Sequence, residues 1–234
     1  MAMKKMSNYI FSFLLLFMAV HTKAQEDDWM GISIGADLSR IAVPIIDSTR
    51  YGWEFSADYE IIEDLFGCIE IGSQTTEFDS DYHYHSFGGY TRIGVDYNFI
   101  EFIDKQSTDN VFIGIRYAHS NFYHEADNII IQDDIWGDYE DGEIKRKWLN
   151  ANWMEITPGM RARIFNNFYL GWSVRFRIML WQKDDPDMQP YFIPGYGRAW
   201  SNNRIGFNYS IYYKIPLLKK RSAREEKEIT KKSP

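Results

Sequence analysis

The stretch Phe168–Trp181, FYLGWSVRFRIMLW, decides how the rest of the chain is read. Phe168, Leu170, Trp172, Val174, Phe176, Ile178 and Leu180 are large and apolar, whereas Tyr169, Gly171, Ser173, Arg175 and Arg177 are polar, small or cationic. A period of two marks a strand. Its length of about fourteen residues exceeds the five or six usual in a soluble sheet. It is enough to cross a bilayer, for which a tilted strand needs about 9–11.

Outward from this stretch the same alternation recurs. It predicts strands over Trp29–Leu38, Tyr51–Ile61, Leu65–Thr76, Gly88–Ile100, Val111–Phe122, Trp148–Ile164 and Arg204–Ile215, eight in all. Between them lie Arg40–Arg50 with Pro44, a short turn at Glu63 and Asp64, a polar loop Glu77–Ser86, a connector Glu101–Asn110, and a tight turn at Asn166 and Asn167. The longest interruptions are Glu125–Lys147 and Gln182–Asn203. Connections after strands two, four and six are the shorter ones, and those after three, five and seven tend to be longer. Outer-membrane barrels have this asymmetry, together with an even strand count. The prediction is an all-β protein, an eight-stranded antiparallel up-and-down transmembrane β-barrel with a filled polar lumen and both chain ends in the periplasm.

Composition narrows the classes. With 45% hydrophobic and 17% aromatic residues, the 234-residue chain can present a large apolar surface as one domain. Beyond residue 25 no run of eighteen apolar residues exists, so a helical membrane protein is excluded. Lys4, Lys5, the apolar run Ile10–Val20 and the Thr22-Lys23-Ala24 end read as a signal peptide over residues 1–24. The barrel then occupies 25–217, and the charged residues 218–234 form a disordered periplasmic tail. Cys68, the single cysteine, closes no internal disulfide. A net charge of -7 without a basic face argues against a nucleic-acid partner.

Alternation alone does not say which face points out. The apolar face carries Trp53, Trp172, Phe176 and Phe207, too much volume for a small lumen, and the other face carries glycines and charges of both signs. Apolar-out is therefore expected. Tyr97, Phe99, Phe168 and Tyr213 near one end, with Tyr51, Trp53 and Trp148 near the other, resemble interfacial girdles. The inward set then contains Asp37, Glu54, Asp58, Glu60, Glu70, Asp96 and Glu155 opposite Arg92, Arg116, Arg161, Arg163, Arg175, Arg177 and Lys214. An eight-stranded interior is only wide enough for side chains to fill. These groups must pair across it, because an unpaired buried charge costs several kcal/mol.

The segments NNFYLGWSVR (Asn166–Arg175), YFIPGYGR (Tyr191–Arg198) and GFNYSIYYKIPL (Gly206–Leu217) resemble those of a family of uncharacterised outer-membrane proteins of Gram-negative bacteria. GADLSR (Gly35–Arg40), RIGVDYNF (Arg92–Phe99) and FIGIRYAHSNF (Phe112–Phe122) fit the same family. The resemblance implies a small outer-membrane barrel and no active site. It extends more loosely to the membrane domain of outer membrane protein A, a small barrel likewise filled by charge pairs.

Three constellations could carry chemistry. Asp79, Asp81, His83 and His85 would share one face if extended, as a metal site requires, but no second ligand cluster accompanies them, and a polar loop is the expectation. Asp133, Asp134, Asp138, Glu140, Asp141, Gly142 and Glu143 lack the ordered spacing of a calcium loop. A lipid A deacylase places its histidine and serine one residue apart on one face, whereas His119 and Ser120 are adjacent and point to opposite faces. No cofactor or metal is implied. The leading expectation is a non-enzymatic outer-membrane protein, structural or partner-docking, whose loops expose Trp136, Tyr139 and Tyr191 as anchors. Its candidate partners are outer-membrane lipid, other outer-membrane proteins and surface lipoproteins. The alternatives are a narrow pore or ligand-binding barrel, and an outer-membrane lipid-modifying hydrolase.

Overall fold

The computed structural model describes residues 29–219 except 81, 100–108, 132–138 and 166. The expected signal peptide, residues 1–24, and the tail beyond Lys219 lie outside the described residues, as do most of the 101–110 connector and Trp136.

Eight long strands close on themselves. They are β1 (Trp29–Asp37), β2 (Arg50–Ile62), β3 (Leu65–Asp79), β4 (His83–Asn98), β5 (Asn110–Ile131), β6 (Tyr139–Phe165), β7 (Phe168–Gln182) and β10 (Asn203–Lys219). A helix, α1 (Ser39–Ile46), lies between β1 and β2, and a two-residue pair, β8 (Phe192–Ile193) and β9 (Gly197–Arg198), lies between β7 and β10. Each barrel strand pairs antiparallel with its chain neighbour, and β1 pairs with β10 to close the ring. Among the described residues, closure leaves no unpaired strand edge in the spanning region, the condition for a sheet to sit in lipid.

The register fixes the tilt. From Ile69, one row of paired residues runs through Ile93, Tyr117, Met154 and Ile178 to Asn203. In the other direction it runs through Ala57 and Ile34 to Tyr213. Both branches end on β10, ten residues apart. At about 3.3 Å per residue and about 4.8 Å between strands, that offset tilts the strands by about 40°.

Outward positions are apolar and exposed, among them Trp53, Phe55, Ile93, Ile115, Trp172, Phe176 and Phe207. Burying so many large apolar groups requires lipid on the outside, so the apolar face is the outer one. In the opening stretch the phase slips once. Trp153 opposes Met179 while Asn152 opposes Trp181, leaving Leu180 as a bulge, so that Leu180 and Trp181 are both exposed.

Three segments expected as loops are ordered differently. Arg40–Arg50 contains α1, whose Ile41, Ile45 and Ile46 are exposed. Glu77–Ser86 is the end of a hairpin, with Asp79 opposite His83. Most of Glu125–Lys147 is strand, since β5 continues to Ile131 and β6 begins at Tyr139. Beyond the lipid belt both faces of a strand meet water, so the apolar alternation that reveals a strand is absent there. The result is a lopsided rim: β5 and β6 have 22 and 27 residues, while β1 has 9.

Candidate functional site

The lumen is built in two layers. At mid-height the register sets cross-strand charge neighbours, Glu70 opposite Arg92, and Arg116 opposite Glu155 opposite Arg177. Arg92 donates from Nε to Glu155 Oε1 and from Nη1 to Glu70 Oε2, both at 3.0 Å, and its Nη1 also lies 3.0 Å from Glu54 Oε1. Arg175 crosses the lumen to Glu54, Glu70 and Glu155. Arg116 donates to Glu70 Oε1 at 2.8 Å and Asp96 Oδ2 at 2.9 Å, and Arg161 to Asp58 Oδ2 at 2.7 Å.

Among the ion pairs of the described mid-height residues the two signs match. Six carboxylates, Asp37, Glu54, Asp58, Glu70, Asp96 and Glu155, face six guanidinium groups, those of Arg40, Arg92, Arg116, Arg161, Arg175 and Arg177. All six carboxylates are buried. Shared bidentate geometry offsets the cost of removing so many charges from water. Among the other expected lumen residues, Glu60 is buried, Arg163 and Lys214 are half-buried, and each has an interaction partner.

The second layer fills the mouth. The 183–202 segment folds back into the barrel, burying Phe192, Ile193, Tyr196 and Ala199. Ile193 and Tyr196 pack with Tyr90, Phe122, Leu149 and Trp153 from the wall. The tip is a tight turn, Ile193-Pro194-Gly195-Tyr196, in which Tyr196 N donates to Ile193 O at 3.0 Å. Proline second and glycine third suit a type II turn, and Gly195 has φ +80°. A Cβ there would also lie 2.6 Å from the Tyr90 ring, so only glycine fits.

Two arginines join the layers. Arg92 Nη2 donates to Gly195 O and Arg177 Nη1 to Tyr196 O, each at 2.9 Å. The plug is therefore held by the charge layer itself. At its other end Tyr191 N donates to the Tyr84 hydroxyl at 3.0 Å, His124 Nε2 pairs with Asp185 Oδ2 at 3.0 Å, and Lys147 Nζ donates to Asp185 Oδ1 at 2.7 Å. Burial lowers the His124 pKa against the opposing pull of Asp185. The Asp185 pKa is lowered in turn by its hydrogen bonds from Lys147, the Asp187 backbone and His124, which outweigh its burial.

These contacts place Tyr191 in the mouth and line that mouth with apolar side chains above the polar lumen. Tyr191 is half-buried, ringed by Phe78, Tyr84, Phe192 and Trp200, because its loop is committed to the mouth. Tyr139 begins β6 rather than lying in a loop, and Trp136 lies outside the described residues. The mouth is mainly apolar. Four residues of the network carry no signal in the charge pattern of the strands: Arg40, which reaches from α1 to Glu54 Oε2 at 2.8 Å; Tyr90, whose hydroxyl donates to Glu54 Oε2 at 2.6 Å; Trp153, whose Nε1 donates to Glu155 Oε1 at 2.7 Å; and Asn208, which donates to Asp37 Oδ2. Tyr90 shares the inward phase of Arg92, and Trp153 that of Glu155, and strand phase alone could have found both.

The remaining constellations do not assemble. His119 pairs outside the barrel with Asn152 at 2.8 Å, while Ser120 is buried and donates to Gly89 O. His83 pairs with Asp79, and His85 lies 3.4 Å from Glu125. Asp81, Asp133, Asp134 and Asp138 lie outside the described residues. Among the described residues no three potential metal ligands converge.

A closed eight-stranded barrel with an apolar outer belt and an ion-paired interior is the architecture of small transmembrane β-barrels. The family model described as a domain of unknown function, DUF6048, matches residues 4–220, and the chain belongs to that family. No curated protein matches it in sequence. Among solved structures it is similar to a major outer membrane protein from Thermus thermophilus, at 12% identity and TM-score 0.46, covering 80% of this chain and 98% of the other. It is also similar to the neisserial surface protein A, at 12% identity, TM-score 0.42 and coverages of 80% and 96%. Ail, the attachment invasion locus protein of Yersinia pestis, matches at 9% identity, TM-score 0.39 and coverages of 81% and 99%.

Proposed function

We propose that the protein is a non-enzymatic outer-membrane barrel, oriented with its chain ends in the periplasm, that holds the β5–β6 hairpin above the membrane as a docking surface for another outer-membrane protein or a surface lipoprotein. The observation that carries this reading is the contrast between a sealed interior and an extended rim. The lumen is occupied by a balanced ion-pair layer and by the plug, which opposes a conducting or ligand-carrying role. Ser120 and His119 on opposite faces oppose a hydrolase built on that pair. Ile131, meanwhile, lies fourteen residues beyond Tyr117 on β5, roughly 35 Å further along the barrel axis at about 3.3 Å per residue and a tilt of about 40°.

The hairpin offers an edge. The β6–β7 pairing ends at Ala151 opposite Gln182, and one further bond joins Lys183 N to Asn150 O. Above that point no described strand pairs with the far side of β6. Glu143, Lys145 and Arg146 are exposed or half-exposed there, the kind of charged edge that discourages indiscriminate strand pairing while leaving a specific partner access.

The test is purification of the native protein in mild detergent, alongside a variant in which residues 128–142 are replaced by a short Gly-Ser turn. A partner retained by the intact chain and lost by the variant, with heat-modifiable gel migration unchanged, supports docking. Migration of the intact protein as a lone monomer at every concentration overturns it.

A further inference from the structure

The outer wall of β4–β6 does not pass simply from apolar belt to water. The row Ile69, Ile93, Tyr117, Met154 belongs to the belt. One step higher the outward residues become polar: Thr91, His119 and Asn152 lie in register, and above them Asn121 is paired with Asn150. His119 Nδ1 and the Tyr117 hydroxyl both contact Asn152 Oδ1, at 2.8 and 3.0 Å.

Above this polar band the wall turns aromatic again. Phe87, Tyr123 and Trp148 form one row, with ring centroids 6.1 Å apart for Phe87–Tyr123 and 5.2 Å for Tyr123–Trp148. Phe87 is 43% and Trp148 56% exposed. Tyr123 is six residues beyond Tyr117 on β5, roughly 15 Å higher along the axis at about 3.3 Å per residue and a tilt of about 40°. On this wall the aromatic row stands above the polar band rather than against Tyr117.

Cations border the row. The Arg146 guanidinium stacks 4.1 Å over the Tyr123 ring while pairing with Glu125, and exposed Lys183 donates to Trp148 O at 3.3 Å. His85 lies against Tyr123 and 3.4 Å from Glu125. The opposite wall has no such interval among the described residues, since on β10 Tyr209, Phe207 and Ile205 continue the belt up to Asn203.

We propose that this face of β4–β6 binds the headgroup of an outer-leaflet glycolipid, a phosphorylated oligosaccharide on acyl chains. The inference rests on the outer-membrane placement proposed above. The vertical order of the wall matches the vertical order of such a molecule. Acyl chains would lie on Ile93, Tyr117 and Met154, and hydroxyl and phosphate groups would meet Thr91, Asn121, Asn150 and Asn152. The C–H faces of sugar rings would stack on Phe87 and Trp148, which Tyr123 holds apart, with Lys183 beside them for anionic substituents. An aromatic row that served only as an interfacial girdle would adjoin the belt rather than stand above a polar band.

The experiment is native mass spectrometry of the full protein in detergent, with purified lipopolysaccharide added. Parallel samples receive phosphatidylethanolamine, or the lipopolysaccharide oligosaccharide freed of its acyl chains. The wild-type chain is expected to retain lipopolysaccharide, and the double variant Tyr123→Ser/Trp148→Ser to retain it roughly tenfold less, about 1.4 kcal/mol. Heat-modifiable migration of both proteins establishes that both barrels are folded. The milder variant Asn121→Ala/Asn150→Ala is expected to give an intermediate loss.

Equal retention by the wild type and the serine variant overturns the proposal, as does equal retention of phosphatidylethanolamine. Tight binding of the free oligosaccharide reassigns the face to a soluble sugar and also overturns it. Loss of a protein partner by the serine variant with glycolipid retention intact does the same. Replacement of residues 128–142 leaves this face in place, so failure of partner docking and failure of glycolipid binding are read separately.

Discussion

The middle of the lumen is filled by side chains that leave the barrel wall directly, whereas the mouth is filled by a segment that folds back over its own rim. At mid-height strand register sets adjacent pairs such as Glu70 with Arg92 and Glu155 with Arg177, and Arg175 reaches across the lumen to tie them together. In the mouth, residues far from the wall strands in sequence pack against Phe122, Leu149 and Trp153 through a turn that only Pro194 and Gly195 make possible. The first arrangement is part of the barrel. The second depends on it, because Arg92 and Arg177 hold the plug's carbonyls. The difference teaches that one lumen can combine an ion-paired core that cannot move without unfolding with a lid that can in principle be removed.

The largest effect is expected from breaking the core. Arg175→Leu leaves Glu54, Glu70 and Glu155 with a carboxylate excess, and loss of one member of a buried pair costs about 3–5 kcal/mol. The temperature at which heat-modifiable migration is lost should fall clearly, and an unchanged temperature would contradict the assignment of Arg175 to the core. Next comes removal of the lid. Replacing residues 188–199 by a Gly-Ser linker should leave the barrel folded, and planar-bilayer conductance should stay small because the six-by-six charge layer remains. Large steady currents would show that the plug, not that layer, is the seal.

A smaller change unseats the lid without deleting it. Gly195→Ala places a Cβ against the Tyr90 ring in a backbone conformation that costs a non-glycine residue about 1–3 kcal/mol. Amide exchange over residues 190–198 should quicken while exchange in the mid-barrel strands is unaffected. The smallest effect is in pH. His124 is held neutral in the fold, with Nε2 directed at Asp185 and Nδ1 without a hydrogen-bond partner among the described residues. Its folded pKa lies below the ordinary 6.5, so the unfolded state binds the proton first. The His124 contribution is therefore present above about 6.5 and is lost as pH falls through the folded value. Protection of the amides in residues 185–191, taken relative to their intrinsic exchange at each pH, should fall modestly between about pH 7 and 5, and His124→Gln should abolish that dependence.

Period-two alternation made the belt and the mid-height charges legible, because lipid on one side and a narrow lumen on the other force each residue of Phe168–Ile178 to declare its face. The plug was not legible. A loop with three prolines and mixed polarity looks solvated, and only the apolar inward residues Tyr90, Phe122 and Trp153 on distant strands reveal what it covers. Arg40 was hidden for a related reason: α1 turns it back into the lumen, and strand phase says nothing about a helix. The extensions of β5 and β6 were missed because water on both faces removes the apolar contrast.

The unequal strand lengths, 22 and 27 residues in β5 and β6 against 9 in β1, give the molecule a front and a back within the plane of the membrane. The high wall of β4–β6 and the low wall at β1–β2, closed by α1, stand on opposite sides of one small cylinder. Rotation about the axis is then not neutral: a neighbour diffusing alongside meets a raised, aromatic, charged sheet from one bearing and a low rim of Ile41, Ile45 and Ile46 from the other. Lateral encounters in a crowded bilayer acquire a compass direction, set by how far two neighbouring strands outrun the rest.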